Sequence, residues 1–358
     1  MKKGNLILGA IVLAALVALA AYAQHVHPFH WRMFVEEFKL ANWSRIGLAV
    51  GCIYLAYIFR SMRWALLLKH NRKVRLLSLL GTQVIGFTAV ALIGRVADLV
   101  RPYLVARKTG LPLSSQIAVY IVERLFDAGS MALIFSFAIL LAPAGALPHP
   151  EVFRKFGYGG LAGSIAGALF LVAVRLAGGV VASFLERVFG VVSKGLGDAV
   201  AHKIRTFRTG LDTLRSPADF AVTLALSLAM WALITVAYWE GTQAFVAGPE
   251  RDSVTLAKCM VLMVGSGAAS VVQLPVLGWF TQIAAVEEIL RNLFSLAPET
   301  ATACATTLLL ITFLAIVPVG LIWAQFEHVS LRKVTVESEH AGEELAEGQS
   351  TETIEPAH

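Results

Sequence analysis

The sequence is poor in charged residues. Only 15% of its 358 residues are Asp, Glu, Lys or Arg, against about 25% in an ordinary soluble domain. Apolar residues make up 57% of the chain and the mean hydropathy is +0.70. This composition excludes a soluble enzyme, a disordered chain and a nucleic-acid-binding module. A soluble fold of this size could not bury so much apolar surface, so the sequence predicts an all-α, polytopic membrane protein.

Cysteine is almost absent. The three cysteines, Cys52, Cys259 and Cys304, lie in separate apolar stretches with no short spacing between them. This pattern excludes a disulfide framework and a zinc-type cysteine cluster. We therefore expect them to be small packing residues, since free cysteine behaves as a buried hydrophobic residue.

Catalytic signatures are missing as well. The chain has no P-loop, Gly-x-Ser-x-Gly or His-Glu-x-x-His motif, and hence no ATPase, hydrolase or metalloprotease signature. His25, His27 and His30 could ligate a metal, but a solvated histidine cluster in an outer loop is the simpler interpretation. We expect no metal, no other cofactor and no enzyme activity.

Long apolar runs predict about six membrane-spanning helices of ~20 residues each. The first run also resembles a signal peptide, because Ala21-Tyr22-Ala23 is a small-residue cleavage pattern, but its length favours an uncleaved helix. The predicted spans are Asn5–Ala23, Ile46–Leu68, Ser115–Ala142, Tyr158–Gly178, Phe220–Val246 and Thr300–Ala324.

Two further apolar stretches, Leu76–Gly94 and Leu256–Gly278, contain several glycines. Basic residues flank the first on both sides, in Arg60–Arg75 and in Arg95–Lys108, which places both flanks in the cytoplasm. We therefore predict that this stretch is broken at its glycines, enters the membrane and returns. The second stretch has the same character and is predicted to dip in from the opposite side.

The predicted path places both termini in the cytoplasm of a bacterium, with the chain in its inner membrane. Residues 1–325 form the membrane domain, whose halves 1–142 and 158–325 have opposite orientations, as in an inverted repeat. A basic amphipathic helix at about 184–214 is expected at the cytoplasmic interface. Residues 326–358 contain eight Glu and two basic residues and are predicted to be a disordered acidic tail.

A dense charged group, Glu123-Arg124-Leu125-Phe126-Asp127, lies within an otherwise apolar helix. A charge at the centre of a bilayer costs at least ~2.5 kcal/mol, so these residues need partners or a function. One interpretation is a structural ion pair that joins this helix to a neighbour. The other is that Glu123, Arg124 and Asp127 line a polar cavity with the first broken segment.

Both broken segments contribute candidate substrate-binding residues. Arg95, Asp98 and Arg101 end the first one. Arginine suits phosphate, although these charges also fit an ordinary cytoplasmic loop. The second contributes Gln273 and Gln282, which could hydrogen-bond a head group. The following Glu287 and Glu288 fit a cavity position and an exposed helix end equally well.

These residues give the chain a family resemblance. The Gly94–Gly110 segment followed by Glu-Arg-x-x-Asp at 123–127, reinforced by Gln273-Leu274-Pro275 and by Val317–Leu321, resembles the flippase-like transmembrane region of lysylphosphatidylglycerol synthetases. Where that family has a glycine pair and often a Glu, this chain has Gly278-Trp279. Only the 33 residues of the tail 326–358 follow the predicted membrane domain, so the aminoacyl-transfer domain of the full synthetases is not expected.

The resemblance implies a lipid flippase or transporter that moves a phosphate-bearing head group, either a phospholipid or a polyprenyl phosphate. The alternative is a non-transporting scaffold that recruits an envelope or lipid-metabolism enzyme. An enzyme acting on a lipid-linked sugar is a third possibility, but Glu123 and Asp127 have no nucleophile beside them. No nucleic-acid partner is expected, and a homo-oligomer is left open.

Overall fold

The computed structural model describes residues 29–69, 72–191, 193–195, 216–270 and 277–346. Within these ranges the protein is helical and contains no β-strand. The α-helices are α1 (Trp31–Leu40), α2 (Trp43–Leu68), α3 (Leu76–Ile93), α4 (Val100–Thr109), α5 (Leu113–Leu140), α6 (Pro150–Gly190), α7 (Pro217–Gln243), α8 (Leu256–Ala269), α9 (Leu277–Phe294), α10 (Pro298–Leu309), α11 (Ile316–Phe326) and α12 (Leu331–Ala346).

Five of the described helical units are long and apolar enough to cross a membrane, which confirms a multi-pass membrane protein. They are α2, α3, α6, α7 and the unit α10–α11, which a π-helical turn at Leu310–Leu314 makes continuous. Helix α5 has 28 residues and is also long enough, but it carries three charged residues near its middle. The predicted span Asn5–Ala23 lies outside the described residues.

Helices α2 and α7 pack along each other in opposite directions. At one end Arg45 pairs with Glu240, Nη1 to Oε2, at 2.6 Å. At the other end Lys69 pairs with Asp219. Helix α7 begins there because Ser216 closes a capping box with Asp219 and Pro217 fits the first turn. We call the Lys69 side of the bundle the basic end and the Arg45 side the far end.

Helices α3 and α4 form a first hairpin that opens at the basic end. Gly94, with φ at +97°, ends α3, and a 3-10 turn at Arg95–Leu99 reverses the chain. Lys108 Nζ then donates to the Ser78 carbonyl at 3.3 Å, and Arg72 donates to the Thr109 carbonyl. The predicted return is thus present. The prediction that glycines break this stretch internally is wrong, since apolar residues keep α3 continuous to Ile93.

Helices α8 and α9 form a second hairpin that opens at the far end. Lys258, near the start of α8, lies over the ring of Phe294, the last residue of α9, at 5.4 Å from its centre. Deeper in the bundle, the Gln282 amide nitrogen donates to Ser266 Oγ at 2.8 Å. The segment 271–276 between the two helices lies outside the described residues.

The order of elements repeats with reversed direction. In the first half α2 leads to a hairpin and then to α5; in the second half α7 leads to a hairpin and then to α10–α11. The first hairpin packs through α3 on α11, and the second packs through α8 on α5. Because the leading helices α2 and α7 are antiparallel, these corresponding elements run in opposite directions, as the predicted inverted repeat requires.

Helix α6 extends over 41 residues, about 60 Å, which exceeds a bilayer core. It is kinked at Ala177, where φ is −132° and ψ is 37°, next to Gly178 and Gly179. The predicted span Tyr158–Gly178 therefore ends at the kink. Of the predicted interfacial helix at 184–214, only the first residues lie in α6; most of the remainder falls outside the described residues.

The acidic tail is not disordered over its first part, and that prediction is wrong for Leu331–Ala346. These residues form α12, which packs on the first hairpin. Val334 and Ser338 are buried on one face, and Tyr103 on α4 donates its hydroxyl to Glu337 at 3.1 Å. The composition favours disorder because the tail has few large apolar residues. A single apolar stripe is nevertheless enough to stabilise a helix when a partner surface buries that stripe.

Candidate functional site

Arg63 on α2 is the centre of a buried ionic cluster. Its Nη2 donates to Glu123 Oε1 at 2.8 Å, and its Nη1 donates to Asp127 Oδ1 at 2.7 Å. Glu123 and Asp127 lie one turn apart on α5, so a single guanidinium can bridge both. Nη1 also donates to Ser227 Oγ on α7 at 2.7 Å. The Arg63 and Glu123 side chains are each only 1% exposed, so these contacts are buried. Together they join α2, α5 and α7.

Arg101 enters the cluster from the first hairpin. Its Nη1 lies 3.2 Å from Glu123 Oε2 and donates to the side-chain carbonyl of Gln83 at 3.0 Å. The aliphatic part of Arg101 packs directly on Gly86, where a Cβ would overlap its Cγ. The guanidinium carbon lies 4.4 Å from the ring centre of Phe87, a distance typical of a cation–π contact.

Arg60 and Arg124 complete the cluster at its edge. Arg60 Nη1 and Arg124 Nη2 lie 3.5 and 3.4 Å from the same atom, Asp127 Oδ2. Arg124 is also close enough to Asp98 for an electrostatic interaction. The Arg124 side chain is 40% exposed, whereas Arg60 is buried. These two arginines therefore lie beside the paired core of the cluster.

A cavity of about 210 Å³ lies between the two hairpins and begins at Arg60. Tyr57 and Phe87 line it near the cluster. Ser266 and Gln282 line it from the second hairpin. Ser266 Oγ also accepts from the Tyr238 hydroxyl at 2.9 Å, and the Gln282 carbonyl oxygen has no hydrogen-bond partner among the described residues. We call this space the central cavity.

The structure brings four of the eight candidate binding residues into direct contact. Arg101, Glu123, Arg124 and Asp127 meet in one cluster. Gln282 lines the central cavity instead of touching the cluster.

The remaining candidates are placed as follows. Asp98 is half-buried in the 3-10 turn beside the cluster. Arg95 begins that turn, although its side chain is outside the description, and Gln273 lies in an undescribed segment. Glu287 and Glu288 pair with Arg291 on α9, and Glu288 is 67% exposed.

Arg60 and Arg63 are the members that sequence reasoning missed. In the sequence they belong to the basic run Arg60–Arg75, where positive charge has a general explanation. Both nevertheless fall inside the predicted span Ile46–Leu68, three residues apart on one helical face. The two acids on α5, four residues apart, likewise share one helical face. Two arginines on one face of a predicted span were therefore the signal that could have identified them.

The three histidines of the N-terminal region are separated by the limits of the description. His25 and His27 fall outside it, while His30 Nδ1 lies 3.0 Å from Glu299 Oε1. Among the described residues no group of three or more His, Cys, Asp or Glu side chains could hold a metal ion. The described partner of the His30 side chain is therefore Glu299.

Comparisons with known proteins place the chain in a family. Neither the curated proteins nor the solved structures include a match to it. One family model does match, the transmembrane region of lysylphosphatidylglycerol synthase, over residues 6–327. That range includes both hairpins and every member of the ionic cluster. The chain therefore belongs to the family of the lysylphosphatidylglycerol synthase transmembrane region.

Proposed function

We propose that this protein is a transporter that moves a phosphate-bearing lipid head group across the bacterial inner membrane. Membership of a lipid-related membrane family supports a lipid as the partner. The observation that carries the proposal is a buried arginine cluster that opens onto a cavity between two oppositely directed hairpins. Guanidinium groups are well suited to phosphate oxygens, and paired discontinuous segments are a usual location for a transport site.

In this proposal the basic end faces the cytoplasm, as the excess of Lys and Arg there favours. The head group enters the central cavity while the acyl or prenyl tails remain in the bilayer. Helices α2, α5 and α7, joined by Arg63, form the static part. The first hairpin touches the cluster through Arg101 and is the element that moves. Asp98 and Gln282 extend the path on either side of the cluster. Arg95 and Gln273 stay candidate head-group contacts on the basis of the sequence alone.

Transport is favoured over catalysis by the state of the two acids. Glu123 accepts from Arg63 and Arg101, and Asp127 accepts from Arg63 and, at 3.4 Å, from Trp231. Carboxylates paired with several cations are poor proton donors and acceptors near neutral pH. They serve better to hold the arginines in position.

The test is head-group translocation in proteoliposomes that contain the purified full chain. We expect the wild type to move fluorescent phospholipids or a polyprenyl phosphate, and Arg101→Gln to lose most of this activity. Arg291→Gln, which removes one exposed positive charge on α9, is the matched control and should transport normally. Thermal unfolding confirms that each variant is folded. If the folded wild type moves no lipid in the panel, the proposal fails.

The scaffold alternative has one favourable observation, the exposed acidic residues Glu339 and Glu343 on α12. Deleting the tail would not separate the two hypotheses, because it would also remove α12, which packs on the first hairpin. The double variant Glu339→Lys/Glu343→Lys alters only the exposed face. A scaffold should lose its partner in a pull-down with this variant. A transporter should retain translocation within about twofold.

A further inference from the structure

The charges of the ionic cluster do not balance. Four guanidinium groups surround two carboxylates within 4 Å, which leaves a surplus of two positive charges: Arg60, Arg63, Arg101 and Arg124 against Glu123 and Asp127. The adjoining 3-10 turn has one residue of each sign, Arg95 and Asp98, so its sequence adds no net charge. The surplus therefore remains when the neighbouring turn is included.

A surplus of this size is costly in a membrane protein. Arginine stays protonated under all ordinary conditions, so the site cannot relieve the charge by losing protons. Three of the four arginines are nine-tenths or more buried, and water can compensate them only weakly. An anion of matching charge would relieve this cost.

The unused donors indicate where an anion would bind. Arg60 Nη1 and Arg124 Nη2, which lie against the same oxygen of Asp127, have no hydrogen-bond partner among the described residues. The same holds for the Nε atoms of the other two arginines and of Arg124. Arg60 also lines the central cavity. An oxyanion at that edge could accept from both Nη atoms.

We infer that the site selects a phosphate group with about two negative charges, such as the terminal phosphate monoester of a lipid. This inference rests on the proposed function and names its substrate class. A monoester carries about −1.5 to −2 at pH 7, which matches the surplus. A phosphodiester head such as that of phosphatidylglycerol has one negative charge, and the head group of phosphatidylcholine is neutral overall. Charge, and not head-group size, is thus the basis of selection.

The first experiment measures binding of lipids with identical acyl chains to the purified full chain in detergent. Phosphatidic acid is the monoester, phosphatidylglycerol the anionic diester and phosphatidylcholine the zwitterion. At pH 8 we expect phosphatidic acid to bind at least about tenfold more tightly than phosphatidylglycerol. The preference should shrink by pH 5, because the second phosphate ionisation has a pKa near 6. Equal affinities at pH 8, or a preference independent of pH, would overturn the inference.

Inorganic phosphate in the same assay identifies the source of the group. Displacement of phosphatidic acid by millimolar phosphate supports a site that the free dianion can fill. Failure to displace it supports a lipid-borne phosphate whose tails add affinity. Both outcomes agree with selection of a dianion, provided that sulfate-free buffer of constant ionic strength is used.

Charge variants test directly whether the surplus of two positive charges determines the preference for the monoester. Arg60→Gln lowers the surplus to one and should reduce the preference for the monoester about tenfold, while Arg60→Lys, which keeps the charge, should retain most of it. Arg291→Gln should leave the preference unchanged. If Arg60→Gln does not fold, the same comparison can be made with Arg124→Gln, whose side chain is partly exposed. An unchanged preference in a folded charge-removal variant would refute the inference.

The binding and transport assays can fail separately. A protein that binds the dianion but moves no lipid would retain this inference and lose the proposed function. A protein that moves phosphatidylcholine as fast as phosphatidic acid would retain the proposed function and lose this inference.

Discussion

Replacing Gly86 with alanine should remove Arg101 from the ionic cluster without altering any charge. A Cβ at position 86 would overlap Arg101 Cγ and would lie 3.1 and 3.3 Å from its Cδ and Cβ. All three atoms belong to the part of the side chain close to the α4 backbone. Arg101 therefore cannot avoid the new methyl group by rotating its distal end, and α3 and α4 have to separate.

The expected cost has two parts. Forcing an extra methyl group into a packed contact costs about 1–3 kcal/mol. Displacement of Arg101 also weakens its hydrogen bonds to Gln83 at 3.0 Å and to Glu123 at 3.2 Å, and a hydrogen bond to a charged group contributes about 1.5–3 kcal/mol. Since these terms are not additive, we expect a loss of about 2–5 kcal/mol in unfolding free energy.

The matched control is Gly51→Ala on α2, where no atom lies within 4 Å of the new Cβ. Alanine is a better helix former than glycine by about 0.5–1 kcal/mol, so this variant should be as stable as the wild type or more stable. Thermal unfolding in detergent and translocation in proteoliposomes measure both properties. If Gly86→Ala unfolds and transports like Gly51→Ala, the close packing of Arg101 on α3 is not what positions this arginine.

Two further predictions concern other contacts. Arg63→Gln should destabilise the protein by about 3–5 kcal/mol in thermal unfolding, more than Arg60→Gln, because it leaves both buried carboxylates without their nearest partner; similar losses would contradict the central role of Arg63. Removal of residues 331–358 should expose the first hairpin and speed its cleavage in limited proteolysis, while Tyr103→Phe, which breaks only the hydrogen bond to Glu337, should have a small effect. Equal cleavage rates in the truncated and intact chains would show that α12 does not protect the hairpin.

Much of the architecture could be predicted because the bilayer imposes simple rules. Runs of about 20 apolar residues predicted α2, α5 and α7 with nearly correct bounds, whereas α6 extends well beyond its predicted span at both ends. The basic flanks of Leu76–Gly94 indicated a return of the chain, since both flanks had to lie on one side. Helix α12 was missed because its burial depends on a partner surface, and composition carries no information about that surface.

The site was predicted in part for a similar reason. Glu123 and Asp127 stand out because they interrupt an apolar run, whereas Arg60 and Arg63 adjoin a long basic segment and are masked by it. Which arginine pairs with which acid depends on the angles between helices, and no local pattern encodes those angles. The glycine at 86 could be noted in the sequence, but its contact with Arg101 required the three-dimensional arrangement.

The contacts that Arg60 and Arg124 make with Asp127 have a consequence for affinity. Both Nη atoms lie against the same oxygen of Asp127, so an incoming anion at that edge and Asp127 compete for the same two guanidinium groups. Part of the free energy of binding is then used to loosen those contacts, and the observed affinity is lower than the donors alone would provide. Departure of the anion restores them. A modest affinity would therefore accompany rapid turnover, because the arginines recover their internal partner each time the anion leaves.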